Sequence, residues 1–258
     1  MNFIRSVGAK TLGFIQSLGS ITLFFLHILA KSGTAFPRPR LSIRQVYFAG
    51  VLSVLIVAVS GLFVGMVLGL QGYTQLAKFK SADILGYMVA ASLLRELGPV
   101  LAAILFASSA GGAMTSEIGL MKTTEQLEAM NVMAVDPVAR MVAPRFWAGV
   151  FSMPLLASIF NVAGIYGAYL VGVEWLGLDG GIFWSQMQNN ITFHYDVLNG
   201  LIKSAAFGVA VTLIAVHQGF HCVPTSEGIL RASTRTVVSS ALTILAVDFM
   251  LTAWMFTD

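Results

Sequence analysis

The stretch VYFAGVLSVLIVAVSGLFVGMVLGL, residues 46–70, carries no charged side chain along its whole length. A helix needs about 20 apolar residues to cross the hydrocarbon core of a bilayer. The run lacks the apolar–polar alternation that a barrel strand requires, and it is long enough to satisfy its own backbone as a helix. It reads as a transmembrane helix. Working outward, the segments 84–113, 146–173, 197–216 and 237–256 have the same character. The expected fold is an all-α integral membrane protein with five spans.

Composition agrees. Of 258 residues, 57% are hydrophobic and 10% charged, against about 25% charged in an average soluble domain. A chain this poor in charge cannot clothe a globule in polar surface. A net charge of +3 gives no ground for a nucleic-acid partner. Cys222 is the single cysteine, so no intramolecular disulfide forms. The first apolar stretch lies behind about ten mixed residues and lacks a small-x-small cleavage site, so no cleaved secretory signal is expected.

Residues 1–45 form a separate N-terminal region, and 46–258 the five-span unit. Within 11–30, Phe14, Leu18, Ile21, Phe25, Ile28 and Leu29 share one helical face, and Gln16, Ser20, His27 and Lys31 the other. Such two-sidedness suits a helix lying in the membrane interface; a sixth span is the alternative. The Lys and Arg residues of the loops set orientation. Five spans place Arg5, Lys10, Lys31, Arg38, Arg40, Arg44, Lys122, Arg140, Arg145, Arg231 and Arg235 on one side, and only Lys78 and Lys80 on the other. The first side, with the N-terminus, is therefore expected in the cytoplasm.

Charges also sit inside the apolar runs. SLLRELGPVLAA (92–103) places Arg95 and Glu96 deep in the second span, Lys203 lies in the fourth and Asp248 in the fifth. All fall in the outer half of the membrane, and their charges sum to zero. Isolated charges at such depth are expensive, and pairing or a wet cavity relieves the cost. Pro99 has no N–H for the carbonyl of residue 95, so the backbone there is freed and kinked. The set reads as the wall of a polar cavity; a purely structural network, or snorkelling of Arg95 and Lys203 to headgroups, is the alternative. Gly61, Gly65 and Gly69 in the first span, and Gly164, Ala168 and Gly172 in the third, form small-residue stripes that let membrane helices approach closely.

No nucleotide-binding loop of the GxxxxGK[ST] form is present, nor GxGxxG nor HExxH. His217, His221 and Cys222 are the nearest approach to a metal cluster, without a second set of ligands. No enzymatic activity is expected of this chain. The polar 114–145 segment combines a capping box at Thr123 and Gln126, a face with Leu127 and Met130, and an Asp136–Pro137 helix start. It is either a docking element for a soluble partner or an amphipathic loop resting on the membrane.

GLFVGMVLGLQGY (61–73), LLRELGPVLAAILFASSAGGAMTSEIGLMKTTEQLEAM (93–130), DPVARMVAPRFWAG (136–149) and VPTSEGILRASTRTVV (223–238) together resemble the MlaE/YrbE permease family. The resemblance covers nearly the whole chain; it departs at FASSAGG (106–112), where an Arg is usual. It implies the membrane subunit of an ABC transporter in a bacterial inner membrane. It further implies that a homodimer moves phospholipid between inner and outer membranes, which maintains outer-membrane lipid asymmetry. ATP and Mg would be bound by a separate cytoplasmic ATPase (MlaF-like), supported by a STAS-domain protein (MlaB-like) and topped by a periplasmic MCE-domain hexamer (MlaD-like), with no cofactor in this chain. On this reading Arg95, Glu96, Lys203 and Asp248, with Gln71 and Tyr73, line the substrate cavity. Gly61, Gly65 and Gly69 pack helices, the protomers of the dimer among them. A cytoplasmic coupling helix between the second and third spans offers Glu117, Glu125, Gln126 and Glu128 to the ATPase. A secondary transporter, with the buried charges as an ion relay, and a non-transporting scaffold are the readings from other classes.

Overall fold

Among the described residues, five helices are long and apolar enough to cross a membrane, as the apolar runs require. In the computed structural model, which describes residue 16, residues 19–33 and residues 45–256, they are α2 (Tyr47–Lys78), α3 (Ala82–Thr123), α5 (Val138–Trp175), α7 (Phe193–His221) and α8 (Ser226–Phe256). Two short helices, α4 (Gln126–Val132) and α6 (Gly180–Asn190), join successive spans, and α1 (19–33) precedes them all. Every regular element among the described residues is helical.

The helices outrun the apolar segments because nothing stops them. After Leu70 the chain reads QGYTQLAK, and the helix ends only where Lys80 adopts a left-handed φ of 53°. There the N–H of Lys80 reaches the Ala77 carbonyl and that of Ser81 the Leu76 carbonyl, the paired bonds of a Schellman stop. At 42 residues, α3 is about 63 Å long, roughly twice the hydrocarbon thickness. Its path is interrupted by π-helical turns at Leu93–Leu97 and Ala107–Gly111.

The first and third spans, α2 and α5, meet backbone to backbone. A methyl group on Gly65 would overlap the Gly164 carbonyl, and one on Gly61 would lie 2.6 Å from the Phe160 carbonyl oxygen. A methyl on Gly69 would lie 3.0 Å from the Ala168 Cα. The close approach expected of these stripes is therefore made, but inside one chain. That corrects their assignment to contact between copies: the surface is already occupied. Phe106, Phe160, Phe207 and Met153 fill the core beside this crossing. The last span, α8, is the least enclosed, with 17% of its most apolar stretch buried against 56% for α5.

Several local expectations change. Thr123 is no N-cap: its hydroxyl donates to the Gly119 carbonyl within α3. The residue preceding α4 is Glu125, held at φ 57° without a side-chain cap. Asp136 does cap, accepting the Val138 N–H at 2.9 Å, but the helix it starts is no separate short one; it continues as α5. On α1 the buried face is Phe24, Ile28 and Ser32, whereas Leu29 is exposed along with Leu23 and Leu26. Phe24 packs on His217 and Phe220 of α7, and Phe25 on Phe146 of α5. Helix α1 thus has two apolar sides, one against the bundle and one outward. Phe14 and Leu18 of the expected face lie outside the described residues.

Candidate functional site: a charged network at a proline turn

The site begins with RELGP. In the π-turn Leu93–Leu97 the Gly98 N–H bonds the Leu93 carbonyl, five residues back. Pro99 follows with no N–H to give, so the carbonyl of Arg95 needs another donor. Lys203 supplies it: its ammonium lies 3.0 Å from that oxygen. The approach is possible because α7 comes close at Gly200, where any Cβ would strike the Leu94 carbonyl. Lys203, completely buried, also donates to Thr252 Oγ1 at 2.7 Å and pairs with Asp248 Oδ1 at 3.3 Å. Asp248 and Thr252 stand one turn apart on α8, so both face the same ammonium.

The Arg95 guanidinium turns the other way. Its Nε lies 2.6 Å from Oδ1 of Asp196, which is 1% exposed. The second carboxylate oxygen of Asp196 accepts the Thr192 N–H at 2.7 Å. Two cations and two carboxylates thus join α3, the start of α7 and α8 into one neutral network, with Arg95 as the link between its halves. Buried pairs of this kind are high-stakes: removing one partner strands the other charge, at about 3–5 kcal/mol.

Of the four charges named from sequence, the structure brings together Arg95, Lys203 and Asp248. Glu96 is exposed, and no cation lies within 4.0 Å of it among the described residues. Asp196 takes its place. It stands seven residues before Lys203, two turns along the same face, which was the available signal. Gln71 and Tyr73 stay apart from the network. Gln71 is exposed in a groove with Leu68, Met88 and Ser92 between α2 and α3, and Tyr73 packs against the core.

At the opposite end, α4 presents Glu125, Gln126 and Glu128 outward and buries Leu127 and Met130. Its tip adds Val132 and Met133, 89% and 65% exposed, an apolar pair that the acidic pattern concealed. A left-handed Ala134 (φ 56°) closes the helix, its N–H on the Asn131 carbonyl and that of Val135 on the Met130 carbonyl. Glu117 does not stand free with the other acids; it pairs with the buried Arg145 at 3.2 Å. Lys122 donates to the carbonyls of Phe220 and Cys222. Lys31 and His27 of α1 flank Asp136 at 3.2 and 3.8 Å. Partial burial works to raise the Asp136 pKa, but hydrogen bonds from Lys31 and from the Val138 and Ala139 N–H groups overcome it and hold the carboxyl below its usual range.

This architecture has known relatives. The family described as permease MlaE matches residues 42–254. The chain belongs to the MlaE permease family. It is 52% identical to the intermembrane phospholipid transport system permease protein MlaE of Haemophilus influenzae, across 99% of this chain and 98% of that protein. It is 37% identical to a probable ABC transporter permease of Rickettsia felis, with 99% and 98% covered. A probable ABC transporter permease of Synechocystis is 32% identical over 84% of this chain and 82% of its own length. Within the MlaE family frame, five membrane-crossing helices make this chain a multi-pass membrane permease subunit, in keeping with a non-catalytic part.

Proposed function

We propose that this chain is the permease subunit of an ABC transporter that moves phospholipid between the inner and outer membranes of a bacterium and so maintains outer-membrane lipid asymmetry. The observation that carries the reading is the fully buried Lys203 ammonium, bonded at once to the proline-freed Arg95 carbonyl, to Asp248 and to Thr252. A static core would be cheaper to build from apolar side chains. A neutral network set at a π-turn and a proline, where a helix bends most easily, suits three helices that must exchange partners during a transport cycle.

The chain acts as a homodimer in the inner membrane with its N-terminus in the cytoplasm, the side where Lys and Arg residues concentrate. With the glycine stripe occupied by α5, the second copy is seated against α8, whose Val238, Leu242, Leu245 and Phe249 are all more than half exposed. Phospholipid acyl chains occupy the space between copies. Glu96, with Gln71 and Tyr73, is offered to the headgroup, while the Lys203 network opens and closes beneath it. Helix α4 is the coupling helix. Through Val132, Met133, Glu125, Gln126 and Glu128 it meets a cytoplasmic MlaF-like ATPase, which holds ATP and Mg and is supported by an MlaB-like STAS protein. An MlaD-like MCE hexamer receives lipid on the periplasmic side. Helix α1 lies in the interface, its Leu23, Leu26 and Leu29 toward lipid.

The test is transfer of a fluorescent phospholipid from proteoliposomes holding the complete complex to acceptor vesicles. Transfer that needs ATP, and stops when the ATPase cannot hydrolyse it, is expected. Transfer by this chain alone, driven by a proton gradient, would overturn the proposal in favour of a secondary transporter.

A further inference from the structure

We propose that Arg145 is a positioning residue for transport, and that its ion pair with Glu117 is the strut that passes movement of α4 into the membrane helices. The proposal rests on the ABC reading above and gives Glu117 a different task from contact with an ATPase. Glu117 lies in the last two turns of α3 and Arg145 in the second turn of α5. These are the two stems of the hairpin that carries α4, and the pair bridges them at 3.2 Å.

What sets this bridge apart is where its charge lies. Arg145 is 3% exposed, although it occupies a segment that composition reads as a polar loop. One guanidinium nitrogen donates to the Met141 carbonyl at 3.1 Å and another to Glu117. The third, Nε, is buried without a hydrogen-bond partner among the described residues. Glu117 is the one carboxylate within 4.0 Å of this cation among those residues. If the stems part, a buried positive charge loses its counter-ion in a poorly solvated place, which is strongly unfavourable. The two other mounts of the hairpin lack this property. Lys31 and Asp136 are partly solvated, and Lys122 holds neutral carbonyls. A push on α4 therefore moves α3 and α5 together instead of being absorbed by opening of the hairpin, and α3 leads directly to Arg95.

The experiment compares the complete reconstituted complex carrying Arg145→Met, Glu117→Gln or both, in vesicles of phosphatidylethanolamine and phosphatidylglycerol. Phosphate release and fluorescent-phospholipid transfer are recorded together, normalised to assembled complex. Met fills the space of the Arg stem, so the fold is expected to survive. The expected result is ATP hydrolysis within twofold of the native complex, but at least fivefold less lipid moved per ATP in each single variant. The double variant should be no worse than either. A ratio within twofold of native in Arg145→Met, or losses that multiply in the double variant, would overturn the proposal. Failure of all three variants to assemble would also overturn it, since the pair would then hold the fold and nothing more. A native complex that hydrolyses ATP without moving lipid would instead refute the transport reading beneath it.

Discussion

The ammonium of Lys203 lies 3.0 Å from the carbonyl oxygen of Arg95, the very acceptor that Pro99 leaves without its helical donor. One side chain thereby repairs a backbone defect in α3 and ties it to Asp248 on α8. The charge and the kink are one construction, and each makes the other tolerable.

Removing the cation alone should be severe. Lys203→Met strands Asp248 and the Arg95 carbonyl and is expected to cost about 3–5 kcal/mol, seen as a lowered Tm in detergent. Combining it with Asp248→Leu should recover most of that stability without restoring lipid transfer. A single variant as stable as the native chain would show that Lys203 gains nothing from its partners.

The other half of the network reports on the outer loop. In Asp196→Asn the Arg95 guanidinium loses its counter-ion and the Thr192 N–H is held less firmly. Hydrogen exchange at Thr192 should rise several-fold, with exchange in α2 unchanged. Equal protection in both proteins would detach Asp196 from loop anchoring.

Glycine at 65 is required by approach, since its missing Cβ is replaced by the Gly164 backbone. Gly65→Ala must push whole helices apart and is expected to destabilise by about 3 kcal/mol or more. At Gly111 the nearest atom to an added methyl is 3.5 Å away, so Gly111→Ala should be nearly neutral. Thermal unfolding of the pair decides the matter; equal effects would contradict the α2–α5 crossing.

Docking of α1 should depend on acid. The folded Asp136 carboxyl is held below its ordinary value of 3.8, so its contribution is full above that pH and fades as pH falls through the depressed folded value. Trp147, which donates to Ser32 of α1 at 2.8 Å, provides the fluorescence signal. An Asp136→Asn variant should lose the acid transition; if the transition persists unchanged, another group controls it.

The five spans were legible because lipid demands long unbroken apolar runs, and Arg95, Lys203 and Asp248 were legible because they interrupt such runs. Asp196 was not, since it stands just ahead of the apolar segment and is buried only because α7 begins at Phe193. Arg145 looked like a loop cation contributing to charge bias, but α5 starts seven residues before it and draws it inside. For α1, one wheel could not reveal two apolar sides serving different neighbours, so Phe24 was missed and Ile28, grouped with Leu29, turns to the bundle instead. Glu96 was grouped with its neighbour by adjacency, although consecutive helical residues point about 100° apart.

The wide turn at Leu93–Leu97 has a consequence for how this chain can change over time. Such a turn amounts to an ordinary helix holding one surplus residue. Deleting one residue there would restore a regular spiral while the helix beyond it keeps its facing, because the wide turn already absorbs the surplus. The stretch from Gly98 to Thr123 would stay aimed as it is, and the change would be confined to the turn that presents Arg95. A deletion here should therefore spare the path of α3 yet alter how Arg95 meets Lys203 and Asp196.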